Sequence, residues 1–297
     1  MLLDQFRSFY FKNYPDDMEQ LIEYFAVFGG LDIELDPSMN ITELIRLHIF
    51  ANFEQISKKV ERLTHSDPIN TRLLNALAVG DRRIFSAFKR AGLNNGNGGA
   101  ALKFLQERGV VEVEYSRETH PKELQGTKLK RELARHRISD KVLFTEPFLR
   151  FWFYFIVPHK KEILNAQYTH FFENFIEKQN QYTSLIFEEL SELLLNYNLR
   201  DAQILSSGSY WDMNLEIDIL TLTDDGSIYV AECKWTNHKI NKKELNKLED
   251  KCEKLGIAPS QIIFFSKRGF SKELESMASK EIALYKAKDF KALLKNK

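Results

Sequence analysis

The segments EIDIL (216–220) and VAECKW (230–235) decide how this chain is read. Each has the apolar run of a buried β-strand and carries charge inside it. Asp218 interrupts Leu215, Ile217, Ile219 and Leu220, while Glu232 and Lys234 interrupt Ile228, Val230, Ala231 and Trp235. An ionised group without a partner is very costly to bury, so charges in such places are paired, metal-bound or at an exposed strand end. Side chains alternate along a strand, so Glu232 and Lys234 share one face. The TDDG turn signal (223–226) between the segments predicts an antiparallel hairpin, and folding it can bring Asp218 beside Glu232. Two carboxylates and a lysine then converge on one point. That set suits a divalent cation and a phosphodiester.

The 297 residues suffice for one large domain or two to three small ones, and a 43% hydrophobic, 28% charged composition is ordinary for a soluble protein. The formal net charge is zero, so any attraction for nucleic acid must be local. The densest apolar run, FLRFWFYFIVP (148–158), contains Arg150 and falls short of the ~20 apolar residues needed to cross a bilayer, so it reads as a buried helix. No signal-peptide pattern opens the chain, and no membrane association is expected. The only two cysteines, Cys233 and Cys252, form no CxxC, so neither disulfides nor structural zinc are expected and a reducing cytoplasm is the expected compartment.

Outward from the hairpin, the chain divides into three regions. Residues 1–64 read as a helical N-terminal region, with three- and four-residue apolar spacing in LIEYFAVFGGL (21–31) and in 41–63. Residues 65–141 open at SDP (66–68), where Ser66 or Asp67 can cap a helix with Pro68 in its first turn. Helical patterns at 70–80, 81–92 and 97–109 each close at glycine, and VVEVEY (110–115) then alternates as a strand. This is the element order of a winged helix-turn-helix, with the helix at 98–108 as recognition helix offering Lys103 and Arg108 to DNA. The wing would present Lys128, Lys130, Arg131 and Arg135 among other basic residues in 117–141, a local cluster able to neutralise phosphates. The bland alternative is a solvated helix face, since Glu123 and Glu132 are interleaved. Residues 142–297 alternate helix and strand signals: an amphipathic helix at 183–198, strands at 204–211, 216–222 and 227–235, a helix at 242–256, strands at 261–266 and 282–287, and a helix at 270–278 between them. The expected fold is α/β, a mixed sheet covered by helices on both faces.

GLNNGNGG (92–99) lacks the lysine-serine or lysine-threonine pair of a Walker loop, so no ATP hydrolysis is expected of this chain. What remains is an acidic residue on the amphipathic helix, then Asp218, then Glu232-Cys233-Lys234, followed by a lysine-rich helix. In that order the chain resembles the PD-(D/E)XK nuclease superfamily, the restriction-endonuclease-like fold. The resemblance implies that Asp218 and Glu232 ligate Mg²⁺ (or Mn²⁺) with the Cys233 carbonyl. It also implies that Lys234 orients the attacking water and that a helical carboxylate, Glu188 rather than Glu189, assists the metal. Mg²⁺ chemistry fits those donors, since it takes a few carboxylate oxygens plus waters. Nearly the whole chain, including FAVFGGLD (25–32), RISDKVLFTEPFLRFWFYFIVP (137–158) and GSYWDMNLEIDIL (208–220), further resembles the C-terminal portion of archaeal and bacterial ATPases carrying a DUF234 domain. The P-loop module that precedes these segments in that family is expected to be absent here.

Three functions follow as expectations. The first is a DNA-binding, metal-dependent phosphodiesterase. The second is a non-catalytic DNA-binding regulator, and the third a module that docks on a separate ATPase. Against them stands a structural reading, in which Glu232 and Lys234 form a same-face ion pair and Asp218 accepts local backbone hydrogen bonds. Cys233 alternates inward and reads as a packed apolar residue, and Trp211 and Trp235 read as core.

Overall fold

The computed structural model describes residues 1–118 and 139–295. The first region is helical: α1 (Leu2–Asn13), α2 (Met18–Phe28), α3 (Ile41–Leu44), which runs on into a π turn over 45–50, and α4 (Phe53–Thr64). Its boundaries are set by side chains satisfying the free N–H groups of helix starts. Asp17 accepts from Gln20 N–H, and Asn40 and Glu43 form a reciprocal capping box. The middle region holds α5 (Pro68–Val79), α6 (Ile84–Ala91), α7 (Asn95–Glu107) and β1 (Val111–Glu114). Asp67, not Ser66, caps α5 by accepting from Ile69 N–H at 2.7 Å. β1 pairs antiparallel with β2 (Lys141–Phe144), from Val111 opposite Phe144 to Glu114 opposite Lys141.

The aromatic run becomes α8 (Pro147–Phe151) and a π turn over 152–156, buried apart from part of Tyr154. Arg150 is tolerated inside because its guanidinium donates to the Tyr182 carbonyl at 2.9 Å and lies over the Tyr182 ring. After α9 (Lys160–Leu164), α10 (Thr169–Asn198) runs for 30 residues, starting well before the amphipathic signal at 183. No helix among the described residues is long and apolar enough to cross a membrane.

The strands that follow are β3 (Ile204–Ser206), β4 (Tyr210–Trp211), β5 (Glu216–Ile217), β6 (Ile219–Thr223), β7 (Ile228–Lys234), β8 (Gln261–Ser266) and β9 (Ile282–Lys286). A mixed sheet orders them β3-β6-β7-β8-β9, antiparallel at β3, β6 and β7 and parallel from β7 to β9. Helix α10 covers one face and α11 (Lys242–Leu255) the other. On the α10 side, Ala231, Cys233, Ile263 and Phe265 join Phe187, Leu190 and Phe290 in a core that continues into both helical regions. On the α11 side, Val230, Ile262 and Phe264 pack with Leu245, Leu248 and Cys252. The short helix α12 (Lys272–Ser276) links β8 to β9.

Two expected strands are each divided. Residues 204–211 split into β3, on the main sheet, and β4, which pairs only with β5. Gly208 makes the corner at φ +131°, a conformation that side chains disfavour. Arg117 then clamps it, donating to the carbonyls of Gly208 (2.6 Å), Ser209 (3.0 Å) and Leu220 (2.9 Å). Residues 216–222 break at Asp218. Its Oδ2 accepts the Cys233 N–H at 2.7 Å, replacing a strand carbonyl as partner and ending the β6–β7 ladder at Ile219 opposite Ala231. The break also shifts the phase: Ile217 packs on the α11 side and Ile219 on the α10 side, which an uninterrupted strand would not allow.

Candidate functional site

The TDDG turn holds the β6–β7 hairpin, with Gly226 at φ +82° and Asp225 accepting from Ser227 N–H and Thr223 Oγ1. At the hairpin's far end, Asp218 and the Glu232–Lys234 pair are brought side by side. A cleft of about 500 Å³ opens there, lined by Glu188, Asp218, Cys233, Lys234, Trp235 and His238 among others. Of the two candidate helical carboxylates, Glu188 lines the cleft. Glu189 does not; Arg82 and Arg150 act on both residues, while Glu114 and Glu192 add to the charge around Glu189.

The carboxylates differ in electrostatics. Burial raises Asp218 well above the usual carboxylate range, and the charges of Glu188 and Glu232 add to that. The Cys233 N–H and Lys234 pull the other way without prevailing. Burial likewise pushes Glu188 up to about 7 against the opposing pull of Arg82. Glu232 goes down. Burial opposes its charge, but Lys234 at 2.5 Å and Lys251 at 2.8 Å each take one of its oxygens and outweigh the penalty. Burial depresses the Lys234 ammonium, yet Glu232 more than compensates and the net shift is upward. Lys234 is therefore a cation at neutral pH, and a third of its side chain remains exposed.

A hard divalent cation is the group these donors would suit. Asp218 and Glu188 are oxygen donors whose burial, with the charge of Glu188 adding at Asp218, disfavours the ionised forms, and a cation bound between them would favour those forms. Among the described residues no group of three or more histidines, cysteines or acids is gathered into a cage. Mg²⁺ is commonly held by one or two carboxylates with several waters, so the donor set fits in kind. Cys233 is buried in the α10-side core, and burial together with Asp218 and Glu188 pushes its thiol well up, which suits packing and not nucleophilic attack. Trp235 forms a wall of the cleft, 2% exposed, with the Lys267 ammonium over its ring.

Lys251 was not foreseen. Its signal lies in α11, where Leu248 and Cys252 point to the sheet and position 251 lies on the flank of that face, next to Leu248. Lys103 and Arg108 sit exposed on and just beyond α7. Lys103 lies 3.8 Å from Glu107, and Arg108 donates to the Arg62 carbonyl at 3.2 Å. Lys128, Lys130, Arg131 and Arg135 lie outside the described residues.

Residues 152–248 match the family model DUF234, described as archaeal and bacterial proteins of unknown function. The chain carries a DUF234 region. No curated protein and no solved structure matches it. The DUF234 match runs from the aromatic turn through α10 and the hairpin into α11, so it contains Glu188, Asp218, Glu232 and Lys234 and stops short of Lys251.

Proposed function

We propose that this protein binds nucleic acid, through a winged helix formed by α5–α7 with β1 and β2, and hydrolyses phosphodiesters with Mg²⁺ or Mn²⁺ on a restriction-endonuclease-like domain. The observation that carries the reading is that Glu188, Asp218 and Lys234 line one cleft beside the carboxylate that holds Lys234 charged. Asp218 and Glu188 would hold the cation, with Glu232 joining on release from Lys251. The cation would supply positive charge where the phosphate becomes more negative in the transition state. Lys234, aimed by Glu232, would orient the attacking water or bind the phosphoryl oxygen. Purified protein incubated with plasmid and linear DNA in Mg²⁺ or Mn²⁺ should cleave, while Asp218→Ala and Lys234→Ala should not. Cleavage surviving both substitutions would sink the assignment.

The engagement of both Glu232 oxygens by lysines favours a second reading. In it the ion triad is structural and the protein is a non-catalytic DNA-binding regulator or a docking module for a separate ATPase. Salt-sensitive DNA binding without cleavage in either metal would select the regulator, and co-purification with an ATPase the docking module.

A further inference from the structure

Away from the cleft, the C-terminal end of α4 and that of α7 meet around an open hollow of about 690 Å³, lined by Lys58, Glu61, Arg62, His65, Ser66 and Arg108. Three are basic: Lys58, Arg62 and Arg108. The one acid, Glu61, is taken by Lys160 at 3.4 Å and by the Ser57 hydroxyl at 3.0 Å. Among the described residues, Lys58, Arg62 and Arg108 have no acidic partner within ion-pair distance. Lys58 and Arg62 are four apart on α4, where like charges destabilise a helix. The arrangement therefore carries a cost that an anion seated among the three would remove.

Placement at a helix C-terminus would ordinarily disfavour an anion, because carbonyl oxygens point outward there. Here those oxygens are covered. His65, in the left-handed conformation, and Ser66 donate their N–H groups to Arg62 and Glu61 carbonyls, and the Arg108 guanidinium donates to the Arg62 carbonyl. Arg108 also lies over the Phe104 ring, and His65 meets the same ring edge-on at 4.9 Å, so α7 buttresses the cations. His65 is shared with a second hollow of about 290 Å³ between α5 and α7, lined by Asp67, Ile69, Asn70, Asn97, Ala101 and Phe104 among others. A hollow open to solvent and continued by a groove along α7 suits a phosphate within a chain better than an enclosed small anion.

We infer that Lys58, Arg62, His65 and Arg108 form a docking point for a backbone phosphate of a polynucleotide, which then runs along α7. The inference rests on the nucleic-acid part of the proposed function and not on the chemistry at Lys234. The test is fluorescence anisotropy of the full chain with a labelled DNA duplex and a labelled single-stranded RNA, in EDTA, across a salt series. Beside it run Arg62→Ala/Arg108→Ala, a Lys254→Ala surface control, and competition by inorganic phosphate, with cleavage in Mg²⁺ assayed separately for each protein. The double variant should lose about tenfold in affinity and lower the salt slope by about one to two, while the Lys254→Ala control binds as the parent does. Unchanged affinity and slope in a double variant that melts like the parent overturns the docking point. Competition by millimolar phosphate as strong as by polynucleotide overturns the polymer in favour of a free phosphate. Loss of binding in the double variant with no cleavage in any protein supports the docking point and fails the hydrolysis reading alone.

Discussion

The two sides of β7 solve the burial of carboxylates in opposite ways. Toward α11, Glu232 sits between Lys234 and Lys251, and the lysines hold it charged below its ordinary range. Toward α10, Glu188 and Glu189 are pushed up to about 7, because burial penalises their charge more than Arg82 and Arg150 favour it. Asp218, at the strand break, shares their direction although it adjoins Glu232. Burial alone does not fix protonation. What separates the sides among the described residues is contact: two lysines reach the Glu232 oxygens, while Arg82 and Arg150 act on Glu188 and Glu189 without an ion pair at contact distance.

The largest expected effect breaks the apolar support on the α10 side. Phe187 is fully buried, stacked on Phe290 at 5.0 Å and tilted against Trp235 at 4.8 Å. Phe187→Ala should cost about 3–5 kcal/mol in denaturant unfolding, from lost transfer energy and the cavity left behind. A cost below about 1 kcal/mol would mean the α10 packing is not the support described.

Next is Lys234→Ala. It should lower phosphodiesterase activity about a hundredfold, the usual effect of losing one charge-stabilising donor. Circular dichroism melting should show the fold retained.

The pH behaviour sharpens the contrast between the two sides. Glu189 has a folded pKa of about 7, above an unfolded value near ~4.3. Below the lower value both states are protonated and no stability difference arises. As pH rises toward 7 the unfolded chain ionises while the folded one resists, so stability falls across that window. Glu189→Gln should therefore match the parent at pH 4 and melt at a higher temperature at pH 8. An equal shift at both pH values would show packing, not ionisation, as the cause. Mg²⁺ should raise the parent's melting temperature at pH 8, and should do so less in Asp218→Asn, because only the native site binds it.

The smallest effect is expected for Lys251→Ala, about 1 kcal/mol or less, since a quarter of that side chain is exposed and Lys234 still partners Glu232. An increase in Mg²⁺-dependent activity in this variant would identify Lys251 as holding Glu232 away from the metal.

Much of the local structure was legible from the chain. The hairpin around Asp224, Asp225 and Gly226, the strand at 261–266 and the Asp67–Pro68 helix start announce themselves through turn chemistry, apolar runs and capping. The division of 216–222 was not legible. Its apolar pattern is continuous, and the break arises because the Asp218 carboxylate takes a backbone N–H from a residue 15 positions away. Helical segments before 183 were legible, but not that they run unbroken from Thr169 into one helix, whose first turns pack Phe171 and Phe175 against aromatic residues from distant segments.

The sequence by itself determined which groups carry charge into the strands and that Glu232 and Lys234 share a face, because alternation and turn propensity are local. Only the tertiary structure decided that Glu188 and not Glu189 reaches the cleft, that Lys251 joins Glu232, and which carboxylates favour their protons. Each depends on charges and desolvation contributed by elements far apart in the chain, and electrostatic energy follows distance in space and not position in sequence.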